Sequence, residues 1–183
     1  LKQFQQKYGD DIPIEYHPII RSEEACYKSS LKAVQLAKQH GTQLHVLHLS
    51  TAKELKLFTQ GEVQNKPITA EVCVHHLFFN STDYAEKGSL IKCNPSIKTL
   101  QDQQRLLQGV NQDQIDIIAT DHAPHLLEEK KGNYLTSPAG LPLVQHALLS
   151  LLEHYHDNAL SMEKIVEKTS HNVAKRFSIV NRG

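Results

Sequence analysis

Apolar residues arrive in two kinds of run along this chain. Short runs, at 43–49, 68–74 and 115–119, carry apolar residues at both parities, while the stretches between them repeat apolar residues every three or four positions. The short runs predict parallel strands buried on both faces, and the longer stretches predict helices that cover them. Ser22 before Glu23 and Glu24 predicts a helix start, with Ala25, Cys26, Ser29, Ala33, Val34 and Ala37 at helical spacing and Gly41 as the stop. Thr51 and Glu54 are spaced as a capping box for a short helix reaching about Phe58. Thr99 and Asp102 open another through Leu107, with Gly109 near its stop. A stripe of Leu143, Val144, Ala147, Leu148, Leu151, Leu152 and Tyr155 predicts a core helix starting at Pro142. A final helical pair runs from Ser161 to Phe177, and a short first helix ends near Gly9. Pro13 and the His17-Pro18 pair predict extended backbone. Strands alternating with helices at this spacing imply βα units, a parallel sheet and an α/β fold.

Composition narrows the function classes. The chain has 183 residues, 39% of them hydrophobic and 22% charged, enough for one sizeable core. Lys plus Arg equals Asp plus Glu at 20 each, so no net field recommends nucleic acid or an anionic membrane as partner. No apolar run approaches the ~20 residues a bilayer requires. Cys26, Cys73 and Cys93 show no CxxC spacing and read as reduced structural thiols of a cytoplasmic protein. The anomaly is the 12 histidines, since imidazole is the commonest metal ligand. Leu1 is not an initiator Met, and Asn181-Arg182-Gly183 reads as a turn, so both ends are expected to be cut from a longer protein.

Candidate chemistry sits where the apolar runs stop. The run 115–119 leads into Thr120-Asp121-His122-Ala123-Pro124-His125, a carboxylate and two imidazoles within five positions. The C-terminal ends of parallel strands are where α/β folds assemble active sites. The run 43–49 brings His48 to the same kind of place, followed by Leu49-Ser50-Thr51. Strand parity groups Leu44, Val46 and His48 on one face, which points His48 into a site if that face is interior; His45 is left as packing. His75 and His76 close the run 68–74, and adjacent residues of a strand face opposite ways, so both are expected to be structural or to support ligands from behind rather than to bind an ion themselves. Asn94 stands before Pro95, residues 126–139 form a charged loop bordering the site as a lid, and Ala139-Gly140-Leu141-Pro142 lets backbone approach a ligand.

Taken together, the 117–125 string, His48-Leu49-Ser50-Thr51, Glu71 to Leu77 and Lys92-Cys93-Asn94-Pro95 resemble dihydroorotases of the cyclic amidohydrolase superfamily. The resemblance implies the C-terminal part of a (β/α)8 TIM-type barrel, strands six to eight with their helices, over the whole of 1–183. It implies His48 and Asp121 as metal ligands, Asp121 also as general base, and Asn94, His125, Ala139 and Gly140 as substrate-binding. It further implies one or two Zn²⁺ per full-length subunit and a small-molecule substrate, dihydroorotate or carbamoyl aspartate. No nucleic acid or membrane partner is expected, and a homo-oligomer is compatible with this reading without being fixed by it. The remaining metal ligands would precede Leu1, leaving 1–183 inactive alone. Ser96 and Lys98 depart from the family's usual Asn-Pro-Pro-Leu-Arg. Rival readings are an allantoinase or hydantoinase, a non-catalytic scaffolding subunit, and a metal-binding regulatory module.

Overall fold

The computed structural model describes residues 1–182. Its centre is a parallel sheet of β1 (Leu44–Leu49), β2 (Ile68–Cys73) and β3 (Ile117–Ala119), in the order β1-β2-β3. Around it run α1 (Lys2–Tyr8), α2 (His17–Ile20), α3 (Glu23–His40), α4 (Val74–Phe78), α5 (Tyr84–Lys87), α6 (Leu100–Asn111), α7 (Leu127–Lys130), α8 (Ala147–His156), α9 (Met162–Val166) and α10 (Asn172–Arg176). A π-helical turn, Glu167–His171, joins α9 to α10, so the expected final pair is one bent helical stretch. Among the described residues, no helix is long and apolar enough to cross a membrane.

The predicted caps form as the sequence spells them. Ser22 accepts the Ala25 N–H, Gly41 closes α3 in the left-handed region at φ 61, and Thr99 and Asp102 cap α6 reciprocally. Three expectations fail. Pro18 stands in the first turn of α2, where its missing N–H costs nothing, so 14–20 is helical rather than extended. Gly109 lies inside α6, where an added Cβ would come within 3.1 Å of Leu55 and 3.3 Å of Ile115; its role is close approach, and the helix runs on to Asn111. The helix expected from Pro142 begins only at Ala147, and its stripe is core only in part: Leu143 and Leu151 are buried and Ala147 packs against the core, while Val144, Leu148 and Tyr155 are exposed.

Register assigns the two faces of the sheet. Val46 pairs with Ala70, Leu49 with Val72, and Val72 with Ile118. These residues join Leu55, Leu106 and Val110 in the core, which makes theirs the helix-covered face. His45, Thr69, Glu71, Ile117, Cys73 and Ala119 share the other face. Between Val46 and Leu49 the pairing slips, with three steps on β1 against two on β2. This bulge overturns the parity argument for His48. Leu44 and Val46 pack toward the helices, the extra residue resets the alternation so that Leu49 takes the helix side, and His48 leaves that face at φ 41. A plain two-residue period carries no trace of a bulge, because both strands of the pair must be known to see it.

Val in place of Gly109 should lower the unfolding free energy by roughly 1–3 kcal/mol through overpacking against Leu55 and Ile115. Urea denaturation checks this, with the midpoint moving while the slope stays fixed.

Candidate active site

The C-terminal ends of the three strands lie side by side, and the chain spends buried carboxylates to hold them there. After His48, the Ser50 N–H, the Thr51 hydroxyl and, from α3, the Ser30 hydroxyl all donate to buried Glu54, at 3.3, 2.9 and 2.7 Å. The Ala52 N–H donates to Asp102 at 2.8 Å, the same carboxylate that caps α6. The expected pairing of Thr51 with Glu54 is therefore present, though the turn it opens is a 3-10 segment, Glu54–Leu57. At the base of β3, Asp116 is paired with Lys66 at 2.8 Å and accepts the Ala70 N–H at 2.9 Å, tying β3 to β2.

His48 and Asp121 stand at the ends of the two outer strands with β2 between them, two inter-strand steps or about 10 Å of backbone. Both hold positive φ, 41° and 44°, which is costly for residues with a Cβ and clusters at functional sites. Both bear on the end of β2. His75 is driven down to about 3 by burial and then by the nearby His48 ring; His76 is likewise held well below its ordinary value. Burial, with Glu71 and Asp121 adding to it, pushes the Cys73 thiol far above its usual range. His45 is structural as expected, bonded to Thr69 at 2.8 Å and Glu71 at 3.0 Å.

A cleft of about 530 Å³ opens beside β1, lined among others by Arg21, Cys26, His48, Glu54 and Asn94. Asn94 also borders a second cleft of about 410 Å³ with His17, Arg21, Lys92, Tyr134 and Ala139. His125 is half-buried, with Nε2 3.3 Å from the Ala139 carbonyl. Gly140 does not present free backbone as expected. Its N–H donates to the Lys92 carbonyl at 2.9 Å and its carbonyl accepts from Lys130 at 3.0 Å. A Cβ there would lie 2.5 Å from the Ala123 carbonyl oxygen, so glycine is required for the turn to reach the 121–125 loop. His122, exposed at the surface, accepts the Val144 N–H through Nδ1 at 3.0 Å.

The 126–139 segment is no free charged loop. It contains α7, and Lys130 turns inward to donate to the carbonyls of Lys92, Pro138 and Gly140, while Lys92 donates to those of Tyr134 and Ser137. Burial lowers Lys130 to about 8. Lys98, whose role the sequence left open, is buried against Ser96. His17 is bonded through Nε2 to the Cys93 carbonyl at 2.7 Å and through Nδ1 to the Tyr134 hydroxyl at 2.9 Å. A carbonyl only accepts, so Nε2 carries the proton, Nδ1 accepts from Tyr134, and the ring is neutral. Sequence reasoning missed Arg21, Lys92 and His17; Arg21 adjoins Ser22 and Lys92 stands two before Asn94, while His17 drew notice only for preceding Pro18. It also misread His75 and His76: β2 stops at Cys73 and α4 begins at Val74, so the pair sits on a helical turn and the two rings come together, centroids 4.2 Å apart.

No family model matches the chain. It is 36% identical over 152 residues to a dihydroorotase of Methanosphaera stadtmanae, covering 83% of this chain and 34% of that protein. It is 28% identical over 173 residues to an allantoinase of Bacillus velezensis, covering 94% of this chain and 38% of that protein. Its fold matches the crystal structure of dihydropyrimidinase from Brevibacillus agri with a TM-score of 0.86 and 21% identity, over 98% of this chain and 40% of that one. The chain thus spans little more than a third of the length of these curated relatives. The sheet and its helices are that part of the barrel fold.

Burial keeps His17 neutral down to about 4 and His75 down to about 3, with His76 in the same direction. An unfolded chain takes up these protons near pH 6.5, so stability is full above 6.5 and falls as pH drops toward 4. In metal-free buffer the loss should be on the order of a few kcal/mol, read by urea denaturation from pH 7 to 4. His17→Gln should flatten the profile; an unchanged slope would mean that this ring is not buried neutral.

Proposed function

We propose, because the chain belongs to the dihydroorotase-like family of cyclic amidohydrolases, that the protein containing it opens and closes a cyclic amide, interconverting dihydroorotate and N-carbamoyl-aspartate. The observation that carries this reading is the placement of His48 and Asp121 at the same end of the sheet, both in the left-handed region. A carboxylate and an imidazole are donors suited to a divalent ion such as Zn²⁺. A bound Zn²⁺ would supply hydroxide at neutral pH and relieve charge on the amide oxygen.

The remaining steps fall to this chain's own groups. Asp121 takes the proton of the attacking water and returns it to the departing ring nitrogen; ring closure uses the same carboxylate in reverse. Asn94, at the junction of the two clefts, and His125, bonded to the Ala139 carbonyl, hold the substrate through hydrogen bonds, with Ala139 closing beside the ring. Gly140 acts by shaping this turn. His48 and Asp121 alone are too few donors for a complete centre, so residues 1–183 by themselves are inactive in this reading. The substrate is a small molecule, and the balanced charge offers nothing to nucleic acid.

The allantoinase relative supports a second reading in which the same groups act on a different ring. The full-length protein, loaded with Zn²⁺, should be assayed on dihydroorotate, hydantoin and allantoin. Dihydroorotate should be preferred, Asp121→Asn should abolish turnover, and His125→Ala should chiefly raise KM. A preference for allantoin or hydantoin selects the second reading; no turnover of any ring, with the fold intact, selects a scaffolding role.

A further inference from the structure

We infer that Cys73, His75 and His76 form a metal site of their own for a borderline-soft divalent cation of the Zn²⁺ class, independent of the centre proposed at His48 and Asp121. One donor atom from each lies within 4.8 Å of the others, and all three residues are buried. Tetrahedral coordination at 2.0–2.3 Å sets donor-to-donor distances of roughly 3.3–3.7 Å, so closing on an ion requires a contraction of about 1 Å, within reach of side-chain rotation. The local backbone explains the convergence. Cys73 ends β2 on the face away from the helices, and the helical turn from Val74 sets His75 and His76 about 100° apart rather than the 180° of a strand.

The second observation is independent of distance. Both ring nitrogens of His75 and Nδ1 of His76 are buried with no hydrogen-bond partner, a cost that proteins rarely leave unmet. Nε2 of His76 lies 3.1 Å from the Pro95 carbonyl, which can only accept, so the proton sits on Nε2 and the lone pair of the neutral ring is on Nδ1. That is the carbonyl-oriented imidazole by which metal-ligating histidines are commonly held. Binding forms one bond from sulfur and two from nitrogen; the Cys73 S–H bond breaks and its proton passes to water, while both imidazoles bind as they stand. Thiolate with imidazole is the donor set of Zn²⁺ rather than of Mg²⁺ or Ca²⁺.

The test uses the full-length protein, stripped with chelator and reloaded with Co²⁺ or Zn²⁺. Reloading with Co²⁺ should give a thiolate-to-metal charge-transfer band that is lost in Cys73→Ser, weakened at least tenfold in metal affinity in His75→Ala, and retained in Asp121→Asn. X-ray absorption of the wild-type Zn²⁺ form, which needs no variant to fold, should show a sulfur shell at about 2.3 Å. A zinc edge fitted by nitrogen and oxygen alone overturns the site, as does a thiolate band that survives Cys73→Ser. Absence of turnover in the reloaded wild-type protein, with the band intact, would count against the His48 and Asp121 reading only, whereas loss of turnover confined to Asp121→Asn with the band intact is the result both readings expect.

Discussion

Parallel pairing of β2 with a neighbour on each side is the constraint on which the rest depends. The strand is buried from Thr69 to Cys73, apart from half-buried Glu71, and its register with β1 and β3 brings three strand ends to one level. A parallel sheet cannot turn back on itself through a hairpin, so each strand end must hand the chain to a helix or loop on the same side. The consequence is that the residues just past Leu49, Cys73 and Ala119 share one neighbourhood although they are some 70 positions apart in sequence.

Around those ends, buried charge does the work of ordering loops. Glu54 and Asp102 gather the N–H and hydroxyl groups that follow His48, and Asp116 secures the foot of β3. Lys92 and Lys130 have no carboxylate partner and are solvated instead by main-chain carbonyls of the 134–140 strap, which they pin against Asn94. Removing either lysine would strand main-chain carbonyls in a dry place, so these residues hold the shape of the strap.

The apolar surface is distributed unevenly. Leu47 at the free edge of β1, with Val144, Leu148 and Leu149 before and along α8, is exposed to an extent that a closed single domain seldom shows. This agrees with a partial barrel whose relatives are more than twice as long. It also explains why a helical stripe in the sequence became core only in part: periodicity states which residues share a face, and only a packed neighbour makes that face an interior.

Much was legible from local signals. The α/β class, the three strands, the caps of α3 and α6 and the position of residues 48 and 121 at strand ends were readable because capping, strand burial and turn chemistry act over a few residues. The family resemblance rested on strings of the same length. What the sequence left undetermined involved two segments at once. The bulge that turns His48 off the helix face exists only in the pairing of β1 with β2, the need for glycine at 140 comes from the approach of Ala123, and Lys130 is buried only because the strap folds onto Lys92. The meeting of His75 with His76 turned on whether the chain after Cys73 remained a strand or became a helix. A run of six apolar residues cannot decide that by itself, since burial on both sides suits either state and the surrounding packing makes the choice.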